Sequence, residues 1–502
     1  MSITRRTILR ASVGTAALLG FGHGANMATA QELRGPAPLV NSDFEPIGGQ
    51  PPQGAVSSIG DFDYQVKYQR AFEAALWAMP ALAIYRFRAA ALQDLGLKDN
   101  DIIAYSGVAT AKLEATTANA STPYITAFTD LQAGPTVLEI PPAGDDGSLY
   151  GQVVDAWQYT IADVGPSGLD QGKGGKYLFT PPGYEGEIPE EYLHVPSPNF
   201  RVAFAFRSVK GPGMTDEDAY AYAKRLRMYP LSQAENPPEQ RFFDPLDVRY
   251  PTMPEWGLEQ FESLHAIVSV EPVKPEDKLA MGMLTSLGIR HGEPFEPDEV
   301  AKRAMIQASY DVWFYMQEWF DKFPKEQLFW PDRQYASLLQ ADENNMFTWT
   351  YEDRIDTIER AAEYFWCTYM PKILSDSPAT QYLMSMADSD GNPLVGGQTY
   401  RLDVPAEMPV EQFWALTVYD RATMGFIYTA EDRTTLSSYD LDTMEKNEDG
   451  GVSIWIGPTA PEGKENNWIP TAGKRPLPAM RLYGPTAELN EKRFKLADFV
   501  RV

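Results

Sequence analysis

Arg201-Val-Ala-Phe-Ala-Phe206 alternates bulky apolar residues with small or polar ones. In an extended chain this turns Val202, Phe204 and Phe206 to one face, the pattern of a strand with one buried side. Outward from it, residues 100–210 hold further short runs of the same kind: Thr136-Val-Leu-Glu-Ile140, Gly151-Gln-Val-Val154 and Lys176-Tyr-Leu-Phe179. Asp145-Asp-Gly147 between two of them reads as a hairpin turn. Residues 380–502 repeat the style, with Phe413-Trp-Ala-Leu-Thr-Val-Tyr419, Val452-Ser-Ile-Trp-Ile456 and Ala479-Met-Arg-Leu-Tyr483 as strands and Asp390-Gly391 and Asp449-Gly-Gly451 as turns. An extended 479–483 places Arg481 on the face opposite Met480 and Leu482. Between these regions, residues 214–372 read as helix. Thr215 is a cap followed by three acids, Asp298 opens a long helix reaching about Asp321, and Asp353 to Met370 is stopped by Pro371. The expected class is α+β, with two β-sandwich or barrel domains flanking and packed on a helical region.

Five spans follow: a signal peptide at 1–30, an extended arm or linker at 31–61, a helical hairpin plus the N-terminal sandwich or barrel at 62–210, a helical region at 211–379, and the C-terminal sandwich or barrel at 380–502. The leader is read from Arg5-Arg6, the apolar stretch from Ala11 to Phe21 and the small-x-small pattern Ala28-Thr-Ala30. The paired arginines favour twin-arginine export over the ordinary secretory route, and a periplasmic or secreted protein is expected. The apolar run falls short of the ~20 residues that span a bilayer. Ala71 to Tyr85 is also too short, and Pro80 within it is expected to kink a buried helix. No membrane span is expected after signal removal.

Composition narrows the chemistry. The 502 residues include 69 Asp and Glu against 43 Lys and Arg, for a formal charge of −26. No basic block exists that could displace counterions, so nucleic acid is not an expected partner. A single cysteine, Cys367, excludes a disulfide framework and multi-thiolate metal sites. Four histidines, one of them in the leader, leave little for a histidine cage. His194, His265 and His291 are each read as structural. Gly172-Lys-Gly-Gly-Lys176 lacks the spacing of a phosphate loop and is read as a turn entering a strand. Asp388-Ser-Asp-Gly-Asn392 resembles a calcium loop, but Pro393 and Thr399 stand where Gly and Glu are wanted. No cofactor and no metal site are predicted.

Two segments resemble a known family pair. Residues 62–210 resemble the domain of unknown function 1254, through Asn119…Thr122-Pro-Tyr124, Thr129-Asp-Leu131, Gly134-Pro135, Val153-Val-Asp-Ala156, Gly174-Gly-Lys-Tyr-Leu178 and Pro181-Pro-Gly-Tyr184. Residues from about 380 to 500 resemble the domain of unknown function 1214, through Phe413-Trp414, Thr417-Val-Tyr-Asp420, Asp449-Gly450, Asn466-Asn-Trp-Ile-Pro-Thr471 and Arg481-Leu-Tyr-Gly-Pro-Thr486. The resemblance implies two sandwich or barrel domains with helices around them, and an oligomer. It carries no reaction. The family pattern commonly has an acid just before Thr-Pro-Tyr, where this chain has Ser121.

With sulfur and imidazole scarce, reactivity must come from carboxylates, phenols and guanidinium groups. Asp130, Asp155, Asp420 and Tyr177 are the candidate catalytic residues, since acids beside apolar strands must find partners or shift their pKa. Arg207 and Arg481, with Tyr124, Trp414 and Trp468, are the candidate substrate-binding residues: a fork for an acidic group and a stacking surface. The leading reading is a cofactor-independent acid–base hydrolase or lyase acting on a glycan or a related polar envelope or environmental substrate. A non-catalytic ligand-binding or envelope-assembly sandwich is the alternative, and a carboxylate-metal-assisted hydrolase is a third. Whether the chain is an enzyme stays open, as does a homo-oligomer.

Overall fold

Turns rich in Gly and Pro break the two β regions into short strands, and in the computed structural model these assemble into two sandwiches with helices between them. The structure describes Gly49, Pro51 and residues 54–211, 213–372 and 380–502. The span read as a signal peptide and most of the expected arm therefore lie outside the described residues. The chain divides into two units, Met1–Gln65 and Val66–Val502. In the first, residues 54–61 have no regular structure before a helix begins at Phe62.

The N-terminal sandwich pairs a six-stranded with a four-stranded sheet. The first runs Phe242–Phe243, Ile102–Ala104, Tyr124–Asp130, Arg201–Val209, Ser148–Val154, Thr160–Val164; the second runs Arg227–Pro230, Thr136–Ile140, Gly175–Thr180, Tyr192–Pro196. Val202, Phe204 and Phe206 point into the core between the sheets, with Leu138, Tyr177 and Phe179 opposite. The C-terminal sandwich pairs the sheet Tyr335–Ser337, Thr380–Ser385, Pro476–Pro485, Val410–Asp420, Thr435–Ser437 with the sheet Trp468–Pro470, Val452–Gly457, Tyr400–Val404, Val500–Arg501. Met480 and Leu482 face its core and Arg481 faces away, as alternation requires. Neither sandwich closes into a barrel among the described residues.

The other faces of the two larger sheets are not solvated. Ala203 from one and Leu477, Ala479 and Tyr419 from the other join the helices in a shared central core. The helix Phe62–Ala89 supplies Leu76, Met79, Leu82 and Phe87, and Glu299–Asp321 supplies Met305, Val312, Met316 and Phe320. Thr215 caps its helix in a reciprocal box with Asp218, and Asp298 Oδ1 accepts from Ala301 N at 2.7 Å.

Three expectations meet tertiary structure differently. Asp145-Asp-Gly147 makes a tight turn but no hairpin, because the strands on either side enter different sheets. Pro80 lies inside the helix Phe62–Ala89 without interrupting it, and the helix runs on into a π turn at Ala90–Asp94. The helix expected over 353–370 is only Thr357–Trp366: Cys367 is extended and Tyr369 has φ 60°, so the chain leaves the helix early to line a cavity.

Candidate functional site

Strand register sets the site. In the N-terminal sheet Arg207 lies between Tyr124 and Tyr150 on its neighbouring strands. In the C-terminal sheet Arg481 lies between Tyr382 and Ala415. The two rows meet across a cavity of about 1050 Å3, with Arg207 Nη1 donating to Tyr382 Oη at 3.1 Å. The Arg481 guanidinium sits 4.8 Å from the centre of the Tyr382 ring, and that of Arg207 sits 5.9 Å from the Tyr124 ring, both cation–π contacts.

The walls are held by hydrogen bonds between the two sandwiches. Arg481 Nη2 donates to Thr117 O at 2.7 Å, to Ala118 O at 3.2 Å and to the Tyr419 hydroxyl. Asn119, fully buried, binds Ser121 N at 2.8 Å and Ser121 Oγ at 2.5 Å through its Oδ1, and Thr122 Oγ1 at 2.8 Å through its Nδ2. Ser121 Oγ in turn pairs with Tyr483 Oη at 2.7 Å, and Tyr124 Oη accepts from Asn119 N at 2.7 Å. Where the family pattern has an acid, this chain therefore presents a hydroxyl to Tyr483.

Charge is distributed unusually. No Asp, Glu or His is among the described residues lining the cavity. Lys210 at the rim is paired with Asp216 at 2.7 Å, but neither Arg207 nor Arg481 forms an ion pair with a carboxylate among the described residues. Arg481 is 2% exposed, and its Nε has no hydrogen-bond partner. Tyr105 Oη, also on the wall, is buried without a partner. Burial pushes the phenols of Tyr105, Tyr150 and Tyr250 up. Tyr382 goes the other way: burial opposes its ionisation, but Arg207 and Arg481 outweigh it and pull the phenol below its usual value.

Of the residues singled out from sequence, the structure brings together Tyr124, Arg207 and Arg481. It places the other six elsewhere. Asp130 caps a turn by accepting from Gln132 N and lies 4.0 Å from Arg88. Asp155 is fully buried, accepts from Trp157 N and Tyr159 N, and has Lys274 at 3.7 Å; burial pushes its carboxyl up, partly offset by that lysine. Asp420 accepts from Ala422 N and pairs with Lys474 at 2.9 Å. Tyr177 is sealed in the N-terminal core, donating to Asp170 at 2.6 Å. Trp414 is in the C-terminal core, and buried Trp468 donates to Gly457 O at 3.0 Å. The acids tie turns and the aromatics fill cores, so none of the six lines the cavity.

Sequence reasoning missed Tyr382, Tyr483 and Tyr150, and marked Ser121 only as the position where the family pattern has an acid. Tyr483 carried a usable signal, since it stands two residues beyond Arg481 on a strand and shares its face. Tyr382 had none, because only strand pairing sets it beside Arg481. Among the described residues no cluster of three or more His, Cys, Asp and Glu could hold a metal. Cys367 is buried, its thiol pushed well up by burial, and the three described histidines bind Thr180, Glu293 O and Val268 O in separate places.

The two rows coincide with two matched families. Residues 100–230 match Protein of unknown function (DUF1254) and residues 379–487 match Protein of unknown function (DUF1214). The chain carries a DUF1254 domain followed by a DUF1214 domain. The DUF1254 segment supplies Tyr124, Tyr150 and Arg207, and the DUF1214 segment supplies Tyr382, Arg481 and Tyr483. No curated protein matches the chain. Among solved structures, it is similar to the VPA0106 protein from Vibrio parahaemolyticus, at 17% identity and TM-score 0.48 over 87% of this chain and 100% of that one. It is also similar to an uncharacterized protein from Burkholderia cenocepacia, at 12% identity and TM-score 0.37 over 88% of this chain and 95% of that one.

Proposed function

We propose that this DUF1254–DUF1214 protein binds a small organic anion between its sandwiches. The observation that carries the reading is two guanidiniums converging on one cavity with no carboxylate among its described lining residues, in a chain of charge −26. A buried guanidinium is costly unless its charge is answered, and a carboxylate, sulfate or phosphate answers it. Apolar wall residues such as Phe87, Leu338, Leu339 and Phe413 suit a ligand with an apolar or aromatic body. A paired-carboxylate attack on a glycosidic bond finds no support here, because Asp130, Asp155 and Asp420 stand outside the cavity.

The test is calorimetry with benzoate and butanoate against their uncharged amides. The acids should bind and the amides should not, and Arg207→Gln should weaken the acids by roughly tenfold or more. Equal binding of acid and amide, or no effect of Arg207→Gln, would sink the reading.

A catalytic reading is favoured by Tyr382, which lines the cavity, accepts from Arg207 Nη1 and has its phenol pulled below the usual value by the two arginines, as a proton-transfer group would need. Tyr382→Phe would then abolish turnover while keeping ligand affinity within about threefold. Export belongs to the proposal as well, supported by Arg5-Arg6, the apolar stretch to Phe21 and Ala28-Thr-Ala30. Mass measurement of the protein from cell fractions should find it outside the cytoplasm, beginning near residue 31.

A further inference from the structure

Beside the arginine cavity lies a second one of about 330 Å3, and the two share Phe87, Thr116 and Thr368 as walls. Its remaining lining is apolar in the main, with Met79, Ala83, Met253, Trp256, Trp313 and Phe365, and no charged side chain is among its described lining residues. The partition is thin. Thr116 Oγ1 and Thr368 Oγ1 hydrogen-bond to each other at 2.8 Å, and the Phe87 ring stands edge-on to Tyr369 at 5.6 Å. The backbone on both sides of the partition is strained. Thr117 has φ 43° and Tyr369 has φ 60°, left-handed values that a β-branched and a bulky residue rarely adopt. Strain of this kind persists where surrounding structure over-determines it, and it clusters at ligand clamps and switches.

We propose that the smaller cavity receives the apolar tail of the anion, whose head lies between Arg207 and Arg481, so that the ligand is an amphipathic anion crossing the Thr116–Thr368 pair. This rests on the anion-binding reading and specifies its ligand class. The head chamber supplies the charge, and the side chamber supplies thioether and aromatic surface that adapts to a flexible chain. At about 30 Å3 for each water-sized unit, the side chamber holds roughly ten such units, which matches a medium-length alkyl chain.

Calorimetry with butanoate and decanoate on the full chain tests this. Decanoate should bind roughly tenfold tighter or more, because each buried methylene adds affinity. Ala83→Leu should erase that preference and leave butanoate unchanged. Thr423→Trp, at the exposed rim of the same chamber, should do the same without disturbing the buried helix. Arg207→Gln should weaken both ligands alike. Equal affinity of the wild type for the two acids would overturn the tail chamber and leave the head reading standing, as would a length preference that survives both filling variants. Failure of both acids to bind would overturn both.

Discussion

Tyr382 and Glu363 show how differently single buried groups act in this molecule. Tyr382 accepts from Arg207 Nη1 and lies under the Arg481 guanidinium, and these two cations lower its phenol against the effect of burial. Difference titration of wild type against Tyr382→Phe in the ultraviolet should therefore show a phenol ionising ahead of ordinary tyrosine, and Arg207→Gln should move it up. Glu363 is the opposite case. It is 1% exposed, accepts from Trp366 Nε1 at 3.1 Å, and burial pushes its carboxyl well up from 4.5. Above that value the unfolded chain releases a proton that the native state keeps, so stability falls as pH rises, by at most about 1.4 kcal/mol per pH unit until the native group ionises. The neutral Glu363→Gln lacks this loss. Its melting temperature relative to wild type should climb between pH 4 and pH 8, and a constant difference would mean that Glu363 is already charged in the fold. At this scale Arg207, Arg481 and Tyr124 were legible, since residue type and strand periodicity bear on them. Asp130, Asp155 and Asp420 misled, because a carboxylate beside a strand serves equally well to bind turn N–H groups.

Among elements, the helix Phe62–Ala89 and the segment after Trp366 are fastened by one side chain. Gln158, with φ 64° and no exposure, donates to Pro80 O at 2.7 Å and accepts from Tyr369 N at 2.8 Å. Its own carbonyl accepts from Tyr364 Oη at 3.2 Å. Arg360 assists, donating to Trp77 O at 3.2 Å and to Tyr159 Oη at 2.7 Å. Pro80 is tolerated in mid-helix where carbonyls along the same stretch gain partners from outside the helix. Gln158→Ala leaves Tyr369 N without its partner and takes from Pro80 O the bond it gains outside the helix, and should cost about 1–3 kcal/mol by urea unfolding. Because Tyr369 lines the cavity, the variant should also weaken anion binding; unchanged stability would show that solvent replaces the amide. The early end of the helix Thr357–Trp366 has the same origin. Local propensity continues to Met370, but Gln158, on a loop of the N-terminal sandwich, holds the chain in another path.

Taken whole, the molecule sets a positive cavity inside a strongly negative protein, with one arginine from each sandwich. An anion bound there touches both, so at about 100 times its Kd it should add about 2.7 kcal/mol to the stability of a single unfolding transition. Calorimetry showing two transitions, only one of them shifted, would assign the site to one sandwich. The surrounding charge repels an approaching anion until salt screens it, so stopped-flow association should quicken as ionic strength rises; slowing would mean that the arginines dominate at long range. The two sheet-rich regions, the main helices and the scarcity of thiol and imidazole were readable along the chain, because alternation, turn residues and composition are local properties, whereas the strands Arg227–Pro230, Phe242–Phe243 and Tyr335–Ser337 lie inside the span read as helix and are revealed only by pairing with distant strands. The meeting of Arg207 with Tyr382, 175 positions apart, and the dispersal of the three aspartates were settled only on folding, since strand pairing and the packing of one sheet against another depend on partners that neighbouring residues do not name.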